Sequence, residues 1–165
     1  MAALEAILPK SEEEFTTVAY WDRFYALRED RAFEWYVDAA RSAEVMCPLV
    51  ASRVEAAGSN LVVNLGCGTC EFPRAMAEAW GVGAAEVPRL RVLSVDTSRG
   101  CVASSAGALR GRGTERCALD FEVMDALDLA GVGDGAAAAC FDKGLVDALH
   151  PADDAARRAS AARLF

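Results

Sequence analysis

Positive charge is what this 165-residue chain is short of: 17 lysines and arginines stand against 25 aspartates and glutamates, a formal net charge of −8. A duplex-binding protein draws affinity from a basic face that neutralises phosphates. The one basic cluster, Arg110, Arg112 and Arg116, reads as a solvated loop, so nucleic acid is not an expected partner. Histidine is nearly absent, with His150 alone. Cys67-Gly-Thr-Cys70 has no second CxxC to join it, and a four-ligand zinc site would need scattered cysteines. No apolar run reaches the roughly 20 residues that a membrane helix needs. The start has no basic region before its short apolar stretch and turns acidic at Glu12, Glu13 and Glu14, unlike a signal or transit peptide. A cytoplasmic location follows as an expectation, with no membrane partner and with the six cysteines reduced.

What is present suits a single core. Hydrophobic residues make up 53% of the chain and charged residues 25%, and a chain of about 150 residues buries roughly two-thirds of its unfolded surface. Residues 1–57 read as a helical N-terminal cap. Ser11 with Glu14 has capping-box spacing, Tyr20, Trp21, Phe24 and Tyr25 form an aromatic stripe read as core, Phe33-Glu-Trp-Tyr36 sits where the chain turns, and Pro48 is expected to break or kink a helix. Residues 58–165 change to strand–helix alternation. The apolar run Leu61–Leu65 is a strand buried on both faces. Glu71 to Trp80 is a helix closed by Gly81 and Gly83. Leu90–Val95 is a second strand ending at Asp96, and Thr97 or Ser98 caps a helix towards Leu109. Leu119–Val123 and Ala136–Phe141 are the third and fourth strands, with a turn at Gly131–Gly135 between them. Pro151 opens a last helix from Asp153 to Leu164. That rhythm predicts an α/β, Rossmann-like doubly wound parallel sheet.

In such sheets the ligand lies beyond the carboxyl ends of the strands. Gly66-Cys67-Gly68 follows the first strand and precedes a helix, a place where glycine allows positive φ and the helix start offers free N–H donors. Asp96 ends the second strand, where a carboxylate can accept from both ribose hydroxyls; the plain alternative is a helix-capping aspartate. Asp125 with Ala126 ends the third strand, within reach of an adenine or simply in a turn. A dinucleotide fingerprint requires a small residue where Glu71 stands, and a carboxylate there repels a pyrophosphate. This disfavours a nicotinamide enzyme and suits S-adenosylmethionine, which carries no phosphate.

Pro9-Lys-Ser11, Tyr20-Trp-Asp-Arg-Phe24, Ala32-Phe-Glu-Trp-Tyr36, Val63-Asn-Leu-Gly-Cys-Gly68, Val123-Met-Asp-Ala126 and Phe141-Asp-Lys-Gly144 together resemble the class I, seven-strand lysine methyltransferases grouped with methyltransferase-like protein thirteen, particularly their N-terminal domain. The resemblance runs from about residue 8 to 150. It implies an S-adenosylmethionine-dependent transfer of methyl to a protein amine, on a substrate like elongation factor 1-alpha. By the same resemblance Gly66, Cys67 and Gly68 form the cofactor turn, and Asp96 with Thr97 holds the ribose. Asp125 and Ala126 border the adenine, and Trp35 and Tyr36 cover the cofactor. Asp142 and Lys143 stand beside the sulfonium as catalytic residues; a structural strand-end pair is the alternative. Asn64 departs from the acid usual two residues before the first glycine. The family sheet has seven strands and four are counted here, so truncation after the fourth strand is expected, with an exposed edge. The alternative function is a cofactor-binding fragment without turnover.

Overall fold

In a computed structural model, residues 7–29, 31–82 and 86–149 are described; the helix expected after Pro151, and Gly83, lie outside them. The chain builds outward from β1 (Leu61–Leu65), in which Val62 to Leu65 are all buried. β1 pairs in parallel with β2 (Leu90–Asp96) on one side and with β4 (Ala137–Asp142) on the other. β3 (Cys117–Val123) pairs in parallel with β2. The order β3-β2-β1-β4 places the reversal of strand order between β1 and β4, which is where an open α/β sheet binds its ligand. Among the described residues β4 is paired on one side only.

Alternation along the strands divides the core in two. Val62 and Val92 face α2 (Ala39–Ala57) and α3 (Phe72–Ala79), against Val50, Val54, Phe72 and Met76. Val63, Leu65, Leu93 and Val95 face the other way, onto the β3–β4 connection at Leu127, Leu129 and Val132 and onto the short α5 (Leu145–Ala148). Burial of both faces is why β1 and β2 read as apolar runs without polar alternation. The sheet is therefore the Rossmann-like α/β arrangement expected.

Helix ends follow local chemistry. The Thr17 hydroxyl accepts from Tyr20 N–H to start α1 (Val18–Leu27), Asp38 accepts from Arg41 N–H to start α2, and Ser98 accepts from Cys101 N–H to start α4 (Arg99–Ala108). Pro73 occupies the first turn of α3, where its missing N–H is harmless. Gly58, at φ 63°, closes α2.

Two local expectations fail. Pro48 does not end a helix: α2 runs through it from Ala39 to Ala57. The lost backbone bond is offset by a cap at each end and by the buried face of Ala43, Val50 and Val54. Ser11 makes no side-chain cap bond, and the segment after it is only a 3-10 turn, Glu12–Thr16. The Glu14 carboxylate instead accepts from Lys10 N–H at 2.7 Å, because the chain must restart at Thr17 to enter α1.

Candidate functional site

Beyond the carboxyl ends of β1, β2 and β4 lies a cavity of about 190 Å³, walled by the β1–α3 turn, by Asp96 and Thr97, by Asp125 and Ala126, and by aromatic side chains from the N-terminal segment. The turn is shaped by backbone sterics. Gly66 and Gly68 stand at φ 57° and 52°, conformations that cost a residue with a Cβ about 1–2 kcal/mol. A Cβ on Gly68 would also lie 2.6 Å from the Tyr25 hydroxyl oxygen.

Asp96 is 9% exposed, and both its oxygens are already engaged. Oδ2 accepts from Gly68 N–H at 3.0 Å and Oδ1 from Ser98 N–H at 2.9 Å. These bonds tie the glycine turn to the end of β2. A carboxylate has about four acceptor positions, so two remain for a ligand. Burial raises the Asp96 pKa above the usual aspartate value; the amide donors oppose this and the nearby Asp22 carboxylate adds to it. Asp125 is exposed at the cavity edge and its Oδ1 accepts from Leu127 N–H at 2.8 Å, while Ala126 is buried beside it.

Strand-end residues of β4 divide. Lys143 lines the cavity, but its ammonium pairs with Glu34 and donates to the Val37 carbonyl at 3.0 Å. Asp142 is not on the cavity wall. Its Oδ1 accepts from Leu145 N–H at 2.8 Å and Val146 N–H at 3.3 Å, so its carboxylate caps α5. The cause is local: Gly144, at φ 99°, folds the chain back and brings the first amides of α5 onto the preceding carboxylate. Burial raises the Asp142 pKa, with those amides opposing. Trp35 is part of the wall. Tyr36 is 74% exposed and lies outside it, donating its hydroxyl to Asp147 Oδ2 at 2.7 Å.

Residues 31–37 form a strap over the site, and the polar bonds that hold it have no signal in the sequence. Thr69 donates to the Arg31 carbonyl and Phe33 N–H to the Thr69 carbonyl. Glu34 is its hub: one oxygen accepts from Glu71 N–H at 2.7 Å and the other pairs with Lys143. This corrects the role given to Glu71. Its own carboxylate pairs with Arg74, away from the cavity wall. It is Glu34 that places a carboxylate at the start of α3, where dinucleotide folds seat a pyrophosphate. The conclusion against a phosphate ligand survives, on a different residue. Glu34→Ala leaves the poorly exposed Lys143 ammonium without its partner, and a stability loss of about 1–3 kcal/mol is expected, read as a lowered urea midpoint. An unchanged midpoint would show that the strap is held by its backbone bonds alone.

The surroundings of both CxxC cysteines disfavour the thiolate form. Burial pushes Cys70 up to about 11, and a hydrogen bond with Cys101 together with burial raises Cys67 well above the usual range. All six cysteines are free.

The glycine turn at the switch point, an acid at the end of β2 and the strand order β3-β2-β1-β4 define a Rossmann-like α/β sheet with a cavity beyond its strand ends, an arrangement that resembles class I methyltransferases. Comparison with known proteins agrees. The chain is 30% identical over 92% of its length to the "eEF1A lysine and N-terminal methyltransferase" of Danio rerio, and 25% identical over 96% to its Drosophila melanogaster homolog. It spans about a fifth of the length of these relatives, 19% and 21%. Among solved structures, a methyltransferase from Geobacter sulfurreducens is 23% identical, with a TM-score of 0.33 over 81% of this chain and 60% of that one, too loose to bear on function. No protein-family model matches the chain. No helix among the described residues is long and apolar enough to cross a membrane.

Proposed function

We propose that the chain binds S-adenosylmethionine and belongs to a methyltransferase acting on a protein amine, a lysine of a substrate like elongation factor 1-alpha. The observation that supports this best is the cavity itself: an acid at the end of β2, a positive-φ glycine turn and aromatic walls, with the one phosphate-type helix start filled by Glu34. The relatives' printed activity supports the amine acceptor.

The residues fit the cofactor. Gly68 leaves room that a Cβ would fill, Asp96 has acceptor capacity for a ribose, and Ala126 leaves space for an adenine beside Asp125. Trp21, Phe33, Trp35 and Phe141 present ring surfaces to the cavity, and aromatic faces attract cations such as a sulfonium. When bound, the cofactor supplies an electrophilic methyl group. The chain's residues then orient and exclude water, and alignment provides most of the acceleration in a direct displacement. An aromatic, water-poor mouth also disfavours the charged form of an entering amine, and so favours the neutral nucleophile. The formal charge of −8 speeds encounter with a basic protein.

A second reading has its own support. Asp142 stands off the cavity wall with its Oδ1 capping α5, and the Lys143 ammonium is paired with Glu34, so neither residue expected at the transfer point presents a proton acceptor to the cavity. This favours a cofactor-binding segment without turnover of its own. Radiolabelled methyl transfer to elongation factor 1-alpha decides between them: label above background supports the enzyme, and none with cofactor bound supports the binding segment. Tight binding of NAD, with no binding of S-adenosylmethionine, sinks both.

Acidification separates binding from folding. Asp96 accepts charge-assisted bonds from both ribose hydroxyls only when ionised, and its pKa is raised. Affinity for S-adenosylhomocysteine is therefore expected to fall as pH drops through a range above that of an ordinary aspartate. The sign for stability is opposite: a raised folded-state pKa means the buried charge opposes folding at neutral pH, and protonation relieves it. Calorimetry and urea midpoints across pH, each compared with Asp96→Asn, should diverge in this way. An affinity loss that persists unchanged in Asp96→Asn assigns the titration to another group.

A further inference from the structure

The aromatic stripe on α1 contains one residue whose ring is packed in the core but whose hydroxyl that packing leaves over. Tyr25 is 6% exposed, yet its side chain lines the cavity. Its hydroxyl stands against the glycine turn, 2.6 Å from where a Cβ on Gly68 would be. Among the described residues that hydroxyl has no hydrogen-bond partner. Of the other aromatic donors, Tyr20 donates to the Ile7 carbonyl at 3.1 Å, Trp21 to the Phe15 carbonyl at 2.7 Å, Trp80 to the Pro88 carbonyl at 2.9 Å and Tyr36 to Asp147, while the Trp35 indole on the wall is also without a partner among the described residues. On the cavity wall the Tyr25 hydroxyl is open to an arriving acceptor, and a hydrogen bond to a charged group is worth about 1.5–3 kcal/mol.

Strand order says which part of the ligand arrives there. Asp125 and Ala126 follow β3, Asp96 ends β2, and Gly66 to Gly68 follow β1. With the adenine at β3 and the ribose at β2, the remaining, amino-acid end lies over the β1 turn beside Tyr25. That end carries an α-carboxylate, which needs donors. Lys143, the one cation on the wall among the described residues, is already paired with Glu34 and Val37. Thr69 donates to the Arg31 carbonyl.

Resting on the S-adenosylmethionine reading above, we propose that the Tyr25 hydroxyl donates to the α-carboxylate of the cofactor and so selects for its amino-acid end. Burial and the nearby Asp96 raise the Tyr25 pKa, which favours its neutral, donating form.

Calorimetry with S-adenosylmethionine and with decarboxylated S-adenosylmethionine, on wild type and Tyr25→Phe, tests this. Wild type should bind the carboxylate-bearing ligand about tenfold more tightly. Tyr25→Phe should lose about tenfold for that ligand, one charge-assisted hydrogen bond, and bind the decarboxylated one as wild type does. Equal losses for both ligands, or no loss for either, overturn the proposal. Wild type binding both ligands equally overturns it without any variant. Wild type binding neither overturns the cofactor reading and this inference with it. Tyr25→Phe removes only an unpaired hydroxyl, and an unchanged urea midpoint confirms that the variant is folded.

Discussion

Asp96→Ala is expected to weaken S-adenosylhomocysteine binding about a hundredfold. Two charged hydrogen bonds to ribose hydroxyls are worth about 1.5–3 kcal/mol each, and even the lower pair of values sums to about 3 kcal/mol, or two decades of affinity. A second cause acts in the same direction. The carboxylate holds Gly68 N–H and Ser98 N–H together, so its loss loosens the turn against which the cofactor lies. Stability changes less than affinity, because the unpaired amides and the relieved burial of a charge have opposite signs. Asp96→Asn keeps one carbonyl acceptor and should fall between the two. Calorimetry gives the affinities. A loss below about threefold for Asp96→Ala would mean that the ribose is held elsewhere, and that Asp96 serves only to join β1 to β2.

The largest effect on folding belongs to Phe72. It is fully buried at the first position of α3, with its ring stacked on Phe141 of β4 at 3.9 Å between centroids and 16° between planes. Phe72→Ala is expected to cost about 3–5 kcal/mol, the range for a large aromatic removed from a closed core. The consequence reaches the site, since Phe141 is part of the cavity wall and Phe72 is its backing. Phe72→Leu keeps most of the volume and should cost less. Urea unfolding monitored by circular dichroism reads both. A loss under about 1 kcal/mol for the alanine variant would show that α3 does not depend on β4 for its seat.

The parts that were legible share one property: their signal is local. β1 lies at Leu61–Leu65 as the apolar run indicated, β2 extends to Asp96, and β4 begins within a residue of the expected start. The glycine turn, the Ser98 cap and the turn around Tyr36, at φ 59°, follow from residues adjacent in the chain. Proline at position 48 misled because tertiary burial of α2 outweighs one missing backbone bond. Asp142 was expected at the transfer point on resemblance; the fold of Gly144 takes it to the amides of α5 instead.

The polar connections that close the site join residues far apart in sequence. Glu34 meets Lys143 across 109 positions, Tyr36 meets Asp147 across 111, and Ser98 meets Asp22 across 76. No periodicity marks such pairs, since each depends on which chain segments the fold happens to bring within 3 Å. Tyr25 shows the same division within one side chain. Its ring belongs to a stripe that hydrophobic spacing reveals, while the direction of its hydroxyl is decided only when α1 packs against the β1 turn. The sequence by itself determined the sheet, its order of elements and the acid and glycines at the strand ends, because backbone sterics and burial act over a few residues. The tertiary structure alone decided which carboxylates face the cavity and which are consumed as caps and straps, because that choice is made by distance in space.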